Sequence, residues 1–257
     1  MKRAGRQPHW LQTWSLRGAL VVVILAIWVY ATGPGAVSAL LLPSVPSVGH
    51  GLADLGKDPE VWSALGITSV EILVAATLSM TCAGLIGLLA ARRRLAARTV
   101  EPLLAAAYMV PLVIFYPLFI MWFGFGVWSK IAYGAMCGFI PIAYTTLRAL
   151  VTVDSRYLLV GRAFGATPAQ LERQVKLGAA KPMLLAGVRI GLAINVITVL
   201  LAEMLSSNRG LGYELSVSSQ LLDGPRTYAL IIVIMIIVAL LQTLIERATR
   251  QHGMEIQ

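Results

Sequence analysis

The residues of this chain that could do chemistry are few, and one glycine-rich stretch comes nearest to a known motif. Gly51, Gly56 and Lys57 have the spacing of the phosphate-binding loop G-x-x-x-x-G-K-[ST]. Asp58, however, stands where that loop needs a hydroxyl to reach Mg²⁺, and its carboxylate would repel a phosphate. We therefore expect a solvated helix or turn ahead of Pro59 and not a nucleotide site.

Histidines and cysteines are placed unfavourably for catalysis or metal binding. His9, His50 and His252 fall in the tails or in the first connection. Cys82 and Cys137 fall inside apolar runs, where a thiol behaves as a small apolar group. A metalloprotease or a hydrolase needs ligands, or a nucleophile and a base, that face one another. We predict no catalytic residue, no cofactor and no metal site.

Two acidic residues lie within apolar runs, where a charge is costly and therefore suggests a purpose. Glu71 is expected in the outer part of the second run and Glu203 near the outer end of the fifth. Both are expected to snorkel or to pair near the membrane interface. For Glu71, a role in a transport path stays open.

Small residues and prolines also recur inside the runs. Glycines at four-residue spacing permit close helix approach, and prolines are tolerated where helices bend around a cavity. The residues concerned are Gly134, Gly138, Gly187, Gly191, Pro111, Pro117 and Pro141. Packing and transport explain this pattern equally well.

The composition indicates the elements that must position these residues. Hydrophobic residues make up 58% of the 257, charged residues 13%, and the charges separate apolar stretches of about 20 residues or more, enough to span a bilayer. This predicts an all-α, polytopic membrane protein with about six transmembrane helices. The predicted spans are 17–34, 65–90, 103–125, 130–150, 183–206 and 228–246, within one transmembrane domain (17–250) between tails at 1–16 and 251–257.

The distribution of Lys and Arg predicts the orientation. Most of the 21 basic residues lie in the tails and in the second and fourth connections. Because Lys and Arg near span ends are retained in the cytoplasm, both termini and the segment 156–182 are expected inside. Only Lys57, Lys130, Arg209 and Arg226 are left for the other side. Such dispersed charge indicates topology and excludes a nucleic-acid-binding face.

The segment 156–182 has the pattern of a helix and not of a short polar turn. Thr167 is a suitable N-cap and Pro168 suits the first helical turn. Apolar residues then fall along one face: Leu171, Val175 and Leu177. Gly178 and Pro182 are expected to end this short helix before the fifth span. The segment is predicted to be a rigid contact surface for another protein.

One part of the chain follows the G-x9-I-x-L-P half of the EAA signature. In it, Gly165 is followed after nine residues by Val175, Lys176 and Leu177. The chain thereby resembles permease subunits of binding-protein-dependent ABC importers, in the nitrate, sulfonate and taurine branch. Further similar segments are LLPSVPSV (41–48), PLFIMWFGFGVWSKI (117–131), VDSRYLLVGRAFGAT (153–167), GVRIGL (187–192) and LLAEMLSSNRGLGYEL (200–215). The Glu-Ala-Ala positions are occupied by Leu159, Val160 and Gly161, and the closing Pro by Gly178, which are departures from the signature.

The resemblance implies a fold, partners and site residues. It implies two permease subunits, identical or different, in the membrane lipid, with two cytoplasmic ATPase subunits and an external solute-binding protein. A coupling helix between spans 4 and 5 would contact the ATPase through Arg162, Ala163, Gly165, Ala166, Thr167, Gln170, Leu171, Arg173 and Val175. The outer gate and binding-protein side would include Glu203, Asn208, Gly210, Gly212 and Tyr213.

The implied function is a translocation path in the inner membrane for a small solute, with ATP hydrolysis in separate subunits. An organic anion such as a sulfonate, or nitrate, is favoured as the solute. A secondary carrier or channel without an ATPase is the alternative, although carriers couple ions through groups near the midplane. A membrane enzyme is a third hypothesis.

Overall fold

The described part of the chain is built from helices. The structure, a computed structural model, describes residues 9–33, 37–38 and 40–251, and within these ranges it contains no strand. The helices are α1 (His9–Ala31), α2 (Val45–Leu55), α3 (Pro59–Ala91), α4 (Arg94–Met109), a 3₁₀ turn (Leu112–Phe115), α5 (Tyr116–Phe123), α6 (Val127–Val151), α7 (Ser155–Ala163), α8 (Pro168–Gln170), a π-helical turn (Leu171–Lys176), α9 (Leu177–Ser206), α10 (Leu211–Gln220) and α11 (Gly224–Gln251). The predicted all-α fold is confirmed.

Helix length and composition identify four membrane spans in the described residues, or five with a bent pair. The four are α3, α6, the continuous helix Pro168–Ser206 and the Gly224–Leu244 part of α11. The apolar part of α1, Gly18–Ala31, falls short of 18 residues. The count of six spans stays a prediction, and the predicted tail residues 1–8 and 252–257 lie outside the described residues.

The third predicted span, 103–125, is broken at one of the prolines that were expected to interrupt its backbone hydrogen bonds. α4 and the helices from Leu112 to Phe123 form a pair bent by 86°. Pro111 lies at the break; it has no N–H to donate, and it favours the extended conformation that Val110 adopts (φ −76°, ψ 132°). Pro141, by contrast, lies inside the unbroken helix α6.

The helix that contains the fifth predicted span begins at Pro168, well before residue 183. Gly178 and Pro182 do not end a short helix, because the chain is helical without a break from Pro168 to Ser206. Ala180, which lies between them, is buried against Ala149 and Leu150 of α6. Tertiary packing therefore overrides the local preference for a helix stop.

The chain forms two compact units, and the smaller one contains residues 1–58 and 217–233. Within it, Arg226 makes an ion pair with Asp58 at 2.9 Å. A methyl group at Gly51 would lie 2.9 Å from the Pro225 carbonyl oxygen. The stretch that resembles a phosphate loop is therefore helix and turn, held by backbone packing and an ion pair.

The larger unit contains residues 59–216 and 234–257, and α3, α6 and α9 form its core. Glycines allow these helices to approach closely, as predicted. A methyl group at Gly138 of α6 would overlap the Asn195 amide of α9, and one at Gly187 of α9 would overlap Thr145 of α6. The backbones of α6 and α9 are therefore in near contact.

Candidate functional site

The segment 155–176 consists of a helix, a turn and a second helix that begins at a closed cap. The Gln170 N–H donates to Thr167 Oγ1 over 3.4 Å, and the Thr167 N–H donates to Gln170 Oε1 over 2.8 Å. These reciprocal bonds form a capping box. Thr167 is the N-cap and Pro168 lies in the first turn, as predicted, whereas the bond to the Gln170 side chain was not predicted. Gly165 has φ +76°, which is strained for an L side chain. The path between the two helices is therefore fixed at Gly165 and Thr167.

Leu171 faces its own chain, which corrects its assignment to a partner-binding surface. The residue is only 9% exposed. A methyl group at Gly161 of α7 would lie 2.6 Å from Leu171 Cδ2 and 3.3 Å from Val175 Cγ2. Gly161, a departure from the Glu-Ala-Ala pattern, thus leaves the space that Leu171 fills. Leu171 holds α7 against the second helix.

The most exposed large apolar side chain of this segment is that of Phe164, the residue directly after α7. Its side chain is 87% exposed, and Tyr157 and Val160 of the same helix are also exposed. Of the other residues assigned to ATPase contact, six are exposed and two half-buried: Arg162, Ala163, Gly165, Thr167, Gln170 and Arg173, then Ala166 and Val175. Phe164 was not among the residues assigned to ATPase contact, although Arg162 and Ala163 before it and Gly165 after it were; an aromatic residue directly before the turn glycine is the signal that could have singled it out.

Glu203 forms a buried latch at the start of α10. Its carboxylate accepts hydrogen bonds from the Gly212 N–H at 2.8 Å and from Thr68 Oγ1 of α3 at 2.7 Å. Thr68 Oγ1 in turn accepts from the Leu211 N–H at 2.9 Å. A carboxylate at a helix N-terminus is favoured by the free N–H groups there. The latch therefore ties the loop after α9 to two membrane-spanning helices.

Glycines make this latch possible. Gly210 has φ +108°, and a methyl group there would overlap the Glu203 carboxyl. At Gly212 a methyl group would lie 2.7 Å from Glu203 Cβ. Asn208 is exposed and Tyr213 half-buried, and both line a neighbouring cavity of about 310 Å³. The structure thus brings together Glu203, Gly210 and Gly212 and places the other two predicted gate residues beside them.

Glu71 pairs with Lys130 in the interior of the bundle. Lys130 Nζ lies 2.5 Å from Glu71 Oε1, and the side chains are 4% and 1% exposed. Lys130 Nζ also donates to Ser207 Oγ at 3.0 Å. Glu71 is paired, as one of the two expectations had it, and its position near the membrane interface stays a prediction. The ion pair joins α3 and α6 to the loop after α9.

Sequence reasoning missed Lys130, which it counted as a charge of an external connection. The predicted fourth span began at residue 130, whereas α6 begins at Val127 and places Lys130 on its buried face. A lysine one turn into an apolar helix, with an unpaired glutamate in another helix, is a signal for such a pair. Because both side chains are buried and their charged atoms are in contact, Lys130 is not a surface charge that only marks topology.

A second polar contact lies in the helix core, at Asn195 and Ser79. Asn195 is fully buried, and its Nδ2 donates to Ser79 Oγ at 3.2 Å and to the Gly191 carbonyl at 3.1 Å. Ser79 Oγ donates to the Ala135 carbonyl of α6 at 2.9 Å. Hydrogen bonds between helices in a bilayer each contribute about 0.6 to 2 kcal/mol. This contact joins α3, α6 and α9.

The described part of the chain is thus an all-helical bundle with a buried ion pair between α3 and α6 and a helix–turn–helix between two spans. The chain belongs to the family of binding-protein-dependent transport system inner membrane components, whose model matches residues 83–251. It is therefore a permease subunit of the type I ABC importer class, a transporter component and not an enzyme. The matched range includes the segment 155–176 and, of the latch, Glu203, Gly210 and Gly212, whereas Thr68 precedes it.

Named relatives agree with this family. The chain is 31% identical to a formylaminopyrimidine transport permease of Halalkalibacterium halodurans over 76% of this chain and 77% of the relative. It is 30% identical to a putative aliphatic sulfonates transport permease of Bacillus subtilis (92% and 84%). It is 29% identical to a taurine transport system permease of Escherichia coli (92% and 89%).

A solved structure agrees with the fold. A chain of the MetNI methionine ABC transporter superposes with a TM-score of 0.63 at 22% identity, over 76% of this chain and 98% of that one.

Proposed function

We propose that this chain forms half of the path by which an inner-membrane importer moves a small organic anion such as a sulfonate, or nitrate. Relatives named for aliphatic sulfonates and for taurine match 92% of the chain and support this substrate class. The other half of the path is a second permease subunit. Two cytoplasmic ATPases drive the cycle, and an external binding protein delivers the solute.

The charge distribution supports an orientation with both termini in the cytoplasm. The segment 155–176 then faces inward, and the Glu203 latch and His50 face outward. A cysteine introduced at His50, in a chain without Cys82 and Cys137, should react with a membrane-impermeant maleimide in intact cells. A cysteine at Arg98 should react only after permeabilisation. Labelling of position 98 but not of position 50 in intact cells would show that the chain has the opposite orientation.

The observation that carries the proposal is the exposed Phe164 beside the rigid turn at Gly165. A large apolar side chain left in water next to a fixed backbone turn is typical of a protein contact. Arg162 and Arg173 are exposed nearby and would orient an ATPase through acidic groups at the rim of its docking groove. Because Leu171 packs α7 onto the second helix, a pull on Phe164 is transmitted directly to α9.

The Glu203 latch supports an outer gate on the opposite side. Its hydrogen bonds to Thr68 and to the Gly212 N–H close the loop after α9 onto α3. Opening the path on this side requires these bonds to be exchanged for others. Glycines at 210 and 212 leave the backbone close enough to the carboxylate for such an exchange.

Co-purification of the partner ATPase with this chain tests the docking surface. Phe164→Asp would bury a charge without a partner in the contact and should abolish co-purification. The control is Leu95→Asp, which changes another large apolar side chain, 80% exposed, in the other connection predicted to be cytoplasmic. It should leave the ATPase yield and the membrane abundance unchanged.

Purified chain alone should hydrolyse no ATP, and hydrolysis should appear with the ATPase and rise with loaded binding protein. ATPase yield at the wild-type level with Phe164→Asp would refute the docking surface. Solute uptake that persists in vesicles without ATP would favour the alternative of a secondary carrier.

A further inference from the structure

Two carboxyl groups, those of Glu71 and Glu203, meet in the interior of the bundle. Glu203 is fully buried and Glu71 is 1% exposed. Thr68 and Glu71 lie one helical turn apart on the same face of α3, so the hydrogen bond from Thr68 to Glu203 holds the second carboxyl beside the first. The two carboxyls are in hydrogen-bonding contact. Because an ionised carboxylate only accepts hydrogen bonds, this contact requires a proton on one of them.

The oxygens of Glu71 need such a donor. Apart from the Lys130 ammonium, no N–H or hydroxyl group in the part of the chain that the structure describes donates to either of them. A buried carboxylate oxygen without a donor is costly, since it has lost its hydrogen bonds to water. A proton carried by the Glu203 carboxyl supplies the missing donor.

The charges around the two carboxyls balance only if one carboxyl is neutral. Among the described residues, the titratable groups that interact with them are Lys130 at the start of α6 and Tyr116 of α5. The Tyr116 hydroxyl donates to the Ala202 carbonyl and is therefore neutral. Other charged groups at this end of the bundle line the cavities outside the site: Glu60, Arg209 and Glu214. Lys130 thus supplies one positive charge against two carboxyls, and two carboxylates in contact away from water would repel each other strongly.

The position of Lys130 decides which carboxyl carries the proton. Its Nζ lies 2.5 Å from Glu71 Oε1 and favours the charged form of Glu71, so the proton resides on Glu203. A neutral Glu203 keeps the latch, because its oxygens still accept from Thr68 and from the Gly212 N–H. The free N–H groups at the start of α10 favour a charged Glu203, but this preference is weaker than the repulsion between two carboxylates in contact.

We propose that Glu71 and Glu203 form a proton-binding site, in which Glu203 carries a proton at neutral pH and donates it in a hydrogen bond to Glu71. Opening of the latch then releases this proton: the Glu203 O–H bond breaks, the proton passes to water, and the carboxylate that remains is solvated. A cavity of about 450 Å³, lined by Lys130, Ser207 and Arg209 among others, lies beside the site and can admit this water. The release on opening rests on the proposed outer gate, whereas the bound proton does not.

Infrared spectroscopy of the purified full-length chain detects the proton directly, because a protonated carboxyl has a C=O stretching band that a carboxylate lacks. Nanodiscs of ether-linked phospholipids avoid the overlapping band of ester carbonyls. At pH 7 the wild type should show this band, and Glu203→Gln should lack it. Glu172→Gln, which changes an exposed glutamate, is the matched control and should retain it. Absence of the band from the wild type, or an equal band in Glu203→Gln, would overturn the proposal.

The unfolding equilibrium counts the same proton. Above about pH 5 an exposed glutamate of the unfolded chain has lost its proton, so the folded wild type holds one proton more than the unfolded chain. Its stability should therefore fall as the pH rises from about 6 to 7. Relative to Glu203→Gln, the unfolding constant of the wild type should rise about tenfold per pH unit, and the comparison cancels the other titrating groups. Equal pH dependence of the two chains in a denaturing-detergent titration would contradict the proton site.

The outcome is separable from that of the importer function. Co-purification of the ATPase with a wild-type chain that lacks the protonated carboxyl would refute the proton site alone. A protonated carboxyl in a chain that never associates with an ATPase would retain the site and refute the importer.

Discussion

The ion pair between Glu71 and Lys130 should give a coupling energy of about 2 kcal/mol or more in the unfolding of the helix bundle. We consider Glu71→Gln, Lys130→Met and the double variant. Each single change leaves one charge in a site where the two side chains are 1% and 4% exposed. Removal of one partner from a buried pair typically costs about 3 to 5 kcal/mol, because the remaining charge is uncompensated.

For Lys130→Met we expect a loss of unfolding free energy at the upper end of this range. Loss of its ammonium also leaves Ser207 Oγ without the donor now at 3.0 Å, and an unmade hydrogen bond in a part-buried site costs about 1 kcal/mol. The double variant removes both charges and should be less destabilised than the sum of the singles. The coupling energy is expected to be about 2 kcal/mol or more, against about 0 to 1 kcal/mol for an exposed pair.

Equilibrium unfolding of the purified chain in mixed micelles, by titration with a denaturing detergent, measures these values. Lys57→Met is the control, because Lys57 is exposed, and it should change the unfolding free energy by less than about 0.5 kcal/mol. Single variants that each cost less than about 1 kcal/mol, with no measurable coupling, would show that the pair is not buried as described.

Two glycine substitutions test the helix packing and the turn. Gly138→Val should destabilise the bundle by about 1 to 3 kcal/mol or more, because its side chain would overlap the Asn195 amide. The control is Gly84→Val, which should cost much less in the same unfolding titration because a methyl group at Gly84 has no neighbouring atom within 4 Å. Gly165→Ala should cost about 1 kcal/mol through its positive φ and lower the yield of co-purified ATPase, whereas Gly178→Ala should not. Equal losses in either glycine pair would contradict the geometry.

Local interactions were predictable from the sequence. Thr167, Pro168 and Gln170 lie next to one another in the chain, so the capping box follows from residue types and spacing alone. The side that Leu171 faces does not follow in this way. Helical periodicity places it in an apolar stripe, but only the fold shows that Gly161 of α7 covers this stripe.

Contacts between distant helices were less predictable. Glu71 was expected to pair, but its partner depends on which face of α6 is buried, and this is set by packing against α3 and α9. Proline shows the same limit: Pro111 breaks a helix, whereas Pro141 is buried within a continuous one. A proline costs about 3 kcal/mol in a helix interior, so surrounding contacts decide whether the helix continues.

Photo-crosslinking from position 164 tests most directly whether this segment docks an ATPase. Benzoylphenylalanine would replace Phe164, which preserves an aromatic group at an 87% exposed position. Phe125, 82% exposed on the side proposed to face outward, is the matched control. Irradiation of membranes that contain the partner ATPase should give a covalent adduct with that ATPase from position 164 and none from position 125. Absence of the adduct at 164, or equal adducts at both positions, would contradict the account.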